Sequence, residues 1–184
     1  MSPVQQVPHA AWFGISSSID HLHAVKALVV DAGVLHPYAP YSLPRAATEN
    51  AATAVWLLSP PLRITRVQRR LKLAYNEVTE AAKARPFAAE AWAALRSPEA
   101  QKNELTDLAK SLGINLSDVA GRFSYEKIVE AAGQASEFGG DAAVFWWRLF
   151  SGFAHGRYWA TLGLLDREDH PSRPASIRPS VRSV

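Results

Sequence analysis

The run FWWRLFSGFAHGRYWATLGLL, residues 145–165, constrains the fold more than any other part of the chain. Apolar side chains recur on nearly every face of a helix built from it, and such a helix belongs in a core. Arg148, Ser151 and His155 interrupt it at spacings that place all three on one helical stripe. A cationic stripe on a core helix costs free energy unless the charge is paired or used. The run is long enough to cross a bilayer, but Arg148, His155 and Arg157 inside it make that expensive. The expectation is therefore a soluble core helix and no membrane contact.

Helix punctuation recurs through the rest of the chain. Ser17 ahead of Asp20 has the form of a capping box, opening a helix that ends near Gly33. Ser42, with Pro44 in the first turn, predicts a second helix over LPRAATENAATAVWLL. Ser59-Pro60-Pro61 ends it and starts a third, which runs to about Arg85 before Pro86. FAAEAWAALR reads as a short helix, and Ser97-Pro98-Glu99 opens another that Gly113 closes. Residues 115–122 read as a loop or single turn. Ser124 starts SYEKIVEAAGQAS, and Gly139-Gly140-Asp141 leads into the apolar run.

No segment alternates with period two between hairpin turn residues, and no internal repeat is present, so no strand is predicted. The fold class is all-α, a bundle of about five or six helices. At 184 residues and 48% hydrophobic content, the chain suits one domain. That domain is placed at residues 1–166, with a flexible Pro/Ser/Arg-rich basic tail at 167–184.

Composition narrows the chemistry. With no cysteine, disulfides, thiolate metal sites and cysteine nucleophiles are excluded. The N-terminal MSPVQQVPHAAWFGISSS lacks a basic stretch followed by an unbroken apolar run, so a cytoplasmic protein is expected. A net charge of +3 permits nucleic-acid binding without requiring it. No Gly-rich phosphate loop or nucleophile elbow is present, and no cofactor is implied.

An arginine and a histidine on one face can act on RNA without a metal. The guanidinium neutralises a phosphate, while the imidazole takes a proton from a 2′-hydroxyl or protonates a leaving oxygen. Ser151 lies between them and can hydrogen-bond either group. The alternative is structural: Arg148 pairs with a carboxylate on a neighbouring helix and His155 is a satisfied core histidine.

RLFSGFAH, with its Arg and His separated by six residues on a late helix, resembles the signature of HEPN domains. An early PRAATENAATAVWLLSP, a following basic helix and the late SGFAHG are similar to a group of HEPN-like bacterial proteins. The resemblance spans roughly residues 18–165. It implies a dimer whose two Arg/His motifs face a shared cleft, and in many members a metal-independent RNase, often a toxin held by an antitoxin. Other members are non-catalytic binding or scaffold modules. By this match Arg148 binds phosphate and His155 is the general acid/base. Leu149 departs from the polar residue that often follows the arginine in active RNases.

Arg45 and Glu49, four apart, can pair with each other, or Glu49 can reach Arg148; the resemblance gives both as supporting residues. On the third helix Arg63, Arg66 and Arg70 share a face with Arg69 beside them, as a phosphate-tracking surface would, and as an ordinary solvated face would too. No metal is expected: on a helix His21 and His23 point about 200° apart, and Asp20 with His23 lacks a third ligand. Trp56, Trp146, Trp147 and Trp159 read as core or dimer-interface anchors. The expected function is a metal-independent endoribonuclease of HEPN type, as a toxin or defence component; the alternative is a non-catalytic HEPN-like binding or dimerisation module. The partners expected are a second copy, RNA and an antitoxin or other protein.

Overall fold

Helix α2 (Ala39–Leu58) runs through the middle of the molecule because two of its faces carry small side chains. On one side it meets α1 (Pro3–Lys26), whose buried stripe of Val7, Ala11, Gly14 and Ser18 recurs at helical spacing. On another, Ala52 joins Ile128, Val129 and Ala132 of α6 (Tyr125–Gln134) and Ala143 of α7 (Gly140–Ala154) in a single buried cluster. A second cluster forms where Val67 and Leu71 of α3 (Arg63–Ala84) meet Val7, Ala109 of α4 (Pro98–Ser111) and Val119 of the short α5 (Leu116–Ala120). The third and smallest joins Leu149 and Phe153 to Ala160 of α8 (Tyr158–Leu164), with Tyr41 stacked on Phe153 at 4.0 Å.

The computed structural model describes residues 3–34, 36–88 and 96–164. Eight α-helices and no strand occur among the described residues, so the all-α expectation holds and the helices outnumber the five or six anticipated. Most of the FAAEAWAALR helix and the whole of the 167–184 tail lie outside the described residues. No helix among the described residues is long and apolar enough to cross a membrane.

The local signals succeeded where nothing competed with them. Ser97 accepts the N–H of Ala100 at 3.1 Å and Ser124 that of Lys127 at 3.4 Å, starting α4 and α6 as predicted. At α1 and α2 they did not. The Ser17 capping box is overridden: α1 starts at Pro3, and Ser17 lies within it. Neighbouring Ser18, 7% exposed, belongs to the small-residue stripe packed on α2, and that packing continues the helix through the cap signal. Likewise α2 begins at Ala39, with Pro40 in its first turn, and not at Ser42.

Candidate functional site

The apolar run does not form one helix. At His155 helix α7 ends in a paired turn: Gly156 N–H donates to Phe153 O at 3.0 Å and Arg157 N–H to Gly152 O at 2.7 Å. This Schellman stop requires a left-handed residue just past the cap, and Gly156 supplies it at φ 60°. The chain then folds back as α8. It can do so because Gly152 has no side chain; a Cβ there would lie 2.7 Å from the Cβ of Ala160 and 2.8 Å from the Trp159 ring. His155 is the C-cap of α7, one turn beyond Ser151, so the stripe of Arg148, Ser151 and His155 ends at this turn, beside α2.

There His155 meets Arg45. The Arg45 Nη1 lies 3.1 Å from His155 Nε2, and its Nη2 donates to Glu49 Oε1 at 2.9 Å. Arginine carries only donors, so Nε2 is the accepting nitrogen and the imidazole proton sits on Nδ1. Glu49 Oε1 also accepts the indole N–H of Trp147 at 2.8 Å, and the Arg45 guanidinium lies 5.8 Å from the centre of that ring. Four side chains from α2 and α7 thus form one connected group. Arg45 and Glu49 are about three-quarters buried, while His155 is exposed. The Arg45 Nε is buried without a hydrogen-bond partner, which costs free energy.

Of the two partners considered for Glu49, the structure selects Arg45. Arg148 instead pairs with Glu126 on α6 at 2.7 Å, with 58% of its side chain exposed. This is the neighbouring-helix carboxylate of the structural alternative, on the surface and not in the core. Ser151, half-buried, contributes its carbonyl to the His155 backbone N–H at 3.1 Å. Arg148 and His155 thus engage different helices, and the arginine in contact with His155 is Arg45.

The basic face predicted on α3 is not continuous. Arg63 is exposed. Arg66 donates to the Pro60 carbonyl at 3.2 Å, holding the α2–α3 connection. Arg70 turns inward toward Glu77 at 3.4 Å, with 18% of its side chain exposed. Arg69, set beside that face in the sequence reading, is the residue with somewhere to go. It lines a cavity of about 640 Å³ together with Trp56, Lys72, Arg122 and Phe123. Lys72 lies one turn from Arg69, but Arg122 enters from the α5–α6 connection. Lys72 belongs to the same acid-free basic run as Arg69, but no short sequence pattern links Arg122 to them.

Burial lowers the proton affinity of Arg69. The Tyr125 phenol is raised above its ordinary value, by burial first and then by the carboxylates of Glu49, Glu77 and Glu80. Among the described residues no group of three or more His, Asp or Glu side chains is arranged to hold a metal ion. No family model, curated protein or solved structure matches the chain.

Proposed function

We propose that the chain is a metal-independent endoribonuclease of HEPN type, acting in the cytoplasm as a toxin or defence component, with its chemistry centred on Arg45 and His155. The observation that carries this reading is the 3.1 Å contact between the Arg45 guanidinium and an exposed imidazole. The geometry suits RNA cleavage through the 2′-hydroxyl. Once a phosphate draws the Arg45 guanidinium off Nε2, that nitrogen of His155 takes the 2′-hydroxyl proton as the 2′-oxygen bonds to phosphorus. The 5′-oxygen then leaves with that proton, returned by the imidazolium, and a 2′,3′-cyclic phosphate remains.

Arg45 supplies charge to the phosphate. Arg148 supplies more, since an exposed ion pair such as Arg148–Glu126 is worth at most about 1 kcal/mol and opens readily. Ser151, Glu49 and Trp147 position these groups. A homodimer belongs to the same reading: Phe145 and Trp146 on α7, which carries Arg148 and His155, and Trp159 on α8 are 55%, 41% and 54% exposed, and a second copy would cover them. An antitoxin would occupy the same surface.

The test is RNA cleavage by the purified chain in excess chelator, with products assayed for 2′,3′-cyclic ends. His155→Ala is expected to lower the rate by about 10²–10⁴-fold, the usual contribution of a general acid/base, with Arg45→Ala comparably damaged. Absence of cleavage across structured and single-stranded RNAs, or undiminished cleavage by His155→Ala, overturns the reading. A second reading, a non-catalytic binding or dimerisation module, is favoured by one observation. Glu49 ties α2 to α7 by accepting the Trp147 indole N–H, and Arg45, held by Glu49 on the same helix, reaches His155, as a polar network that fixes helix register would.

A further inference from the structure

The cavity of about 640 Å³ lies between α3 and the connection from α5 to α6, in a size range typical of small-molecule sites. Its charge is not balanced by its own walls. Glu126 is committed to Arg148 at 2.7 Å and Lys127 to Glu130 at 2.8 Å. Among the described residues, Arg69, Lys72 and Arg122 have no carboxylate partner in an ion pair, and Asp118 is the remaining carboxylate on the wall. Three cations against one carboxylate, partly withdrawn from water, attract an anion into the space they line.

The rest of the wall says what the anion is attached to. Arg69 is held in place, donating through Nη1 to the Trp56 carbonyl and to Ser59 Oγ at 3.2 Å, with its guanidinium 5.1 Å from the centre of the Trp56 ring. Trp56 and Phe123 both face the cavity and both pack on the buried cluster beneath it. A flat guanidinium and two aromatic rings, braced from behind, make a surface for a planar group. Lys72 and Arg122 are not braced in this way. The Lys72 Nζ stands 3.9 Å from where a Cβ on Gly121 would be, so it lies against the α5–α6 connection that carries Arg122, and both cations line the same space.

We propose that this cavity binds a planar ring carrying a terminal phosphate, the ring against Trp56, Phe123 and Arg69 and the phosphate between Lys72 and Arg122. A planar ring with a terminal phosphate is common to nucleoside monophosphates, whose phosphate sits on the sugar, and to aryl phosphates. The site is separate from Arg45 and His155, and it goes beyond the ribonuclease reading without depending on it.

Calorimetric titration of the full chain tests it, with phenyl phosphate, AMP, GMP, ribose 5-phosphate and inorganic phosphate as probes. The ring-bearing phosphates are expected to bind at least about tenfold tighter than ribose 5-phosphate or inorganic phosphate, the order of one good stacking contact. A mononucleotide that exceeds phenyl phosphate identifies a nucleotide as the source, and the reverse order identifies another aryl phosphate. Lys72→Ala and Arg122→Ala are each expected to weaken binding about tenfold or more, as loss of a charge-assisted contact does, with Arg122→Lys retaining most of it and Arg45→Ala all of it. Unchanged unfolding midpoints verify that the Lys72 and Arg122 variants, at half-exposed and exposed positions, remain folded. The proposal is overturned if no ring-bearing phosphate binds at millimolar concentration, if inorganic phosphate binds equally well, or if affinity survives both alanine variants. It is overturned too if these variants affect binding of RNA strands alone.

Discussion

Gly152→Ala gives a sign test of how the His155 turn is built. In a helix open to solvent, replacing glycine by alanine stabilises by about 1 kcal/mol through lost backbone freedom in the unfolded chain. Gly152 is buried inside α7, and an added methyl would stand 2.7 Å from the Ala160 Cβ and 2.8 Å from Trp159 Cζ2. Normal carbon contacts lie near 3.5–4.0 Å, so one neighbour must retreat by roughly 1 Å. Trp159, 54% exposed, can swing aside. Ala160 cannot, because its Cβ is fixed to the α8 backbone and is fully buried. Overpacking of this kind costs about 1–3 kcal/mol, and the upper part of that range applies where the obstacle is backbone-bound. Less the propensity gain of about 1 kcal/mol, the net expectation is a loss of about 1–2 kcal/mol. Urea denaturation at fixed m-value measures it as a lowered midpoint. The double variant Gly152→Ala/Ala160→Gly should show favourable coupling of about 1 kcal/mol, since the contact is then relieved. A Gly152→Ala protein more stable than the parent would refute the close α7–α8 approach on which the placement of His155 depends.

Two further outcomes rest on the contrast between buried and exposed polar groups. Glu49→Ala leaves the Trp147 indole N–H and Arg45 without their acceptor and should cost about 1–3 kcal/mol, whereas Arg148→Ala removes an exposed pair and should cost less than about 1 kcal/mol; equal midpoints in denaturation would contradict the assignment of Glu49 as the buried tie. Tyr125 has a phenol raised by burial and by Glu49, Glu77 and Glu80, so the folded state keeps a proton that the unfolded chain releases. That contribution to stability is present below about pH 10, the ordinary phenol range, and is lost as pH rises through the higher folded value. Tyr125→Phe should flatten the alkaline fall in denaturation midpoint, and parallel profiles for variant and parent between about pH 9 and about pH 11 would count against it.

The sequence carried the fold class because the caps at Ser97 and Ser124, the prolines after Ser59 and the missing period-two pattern are all local signals. Boundaries were lost where tertiary packing outweighed a cap, as at Ser17. The site was legible as a set of residues but not as an arrangement. Arg45, Glu49, Ser151 and His155 were identifiable, yet helical spacing grouped His155 with Arg148. Gly156 is the left-handed stop that ends α7 just past His155, and the contact with Arg45 comes from a helix elsewhere in the sequence. The cavity was least legible, because Arg69 and Lys72 meet Arg122 from a segment some fifty residues away and no periodicity encodes that meeting.

The turn bearing His155 is anchored by the cluster of Leu149, Phe153, Ala160 and Tyr41, which is separate from the two larger clusters that hold α1–α6 and the start of α7 together. Its opening therefore has its own free energy, smaller than that of the whole molecule. Amides of α8 should exchange with solvent through a local event while those of α2 and α3 wait for global unfolding. The order of the site and the stability of the bundle are then two separate quantities. A change in temperature or denaturant can release the histidine from Arg45 while the helices around it remain folded.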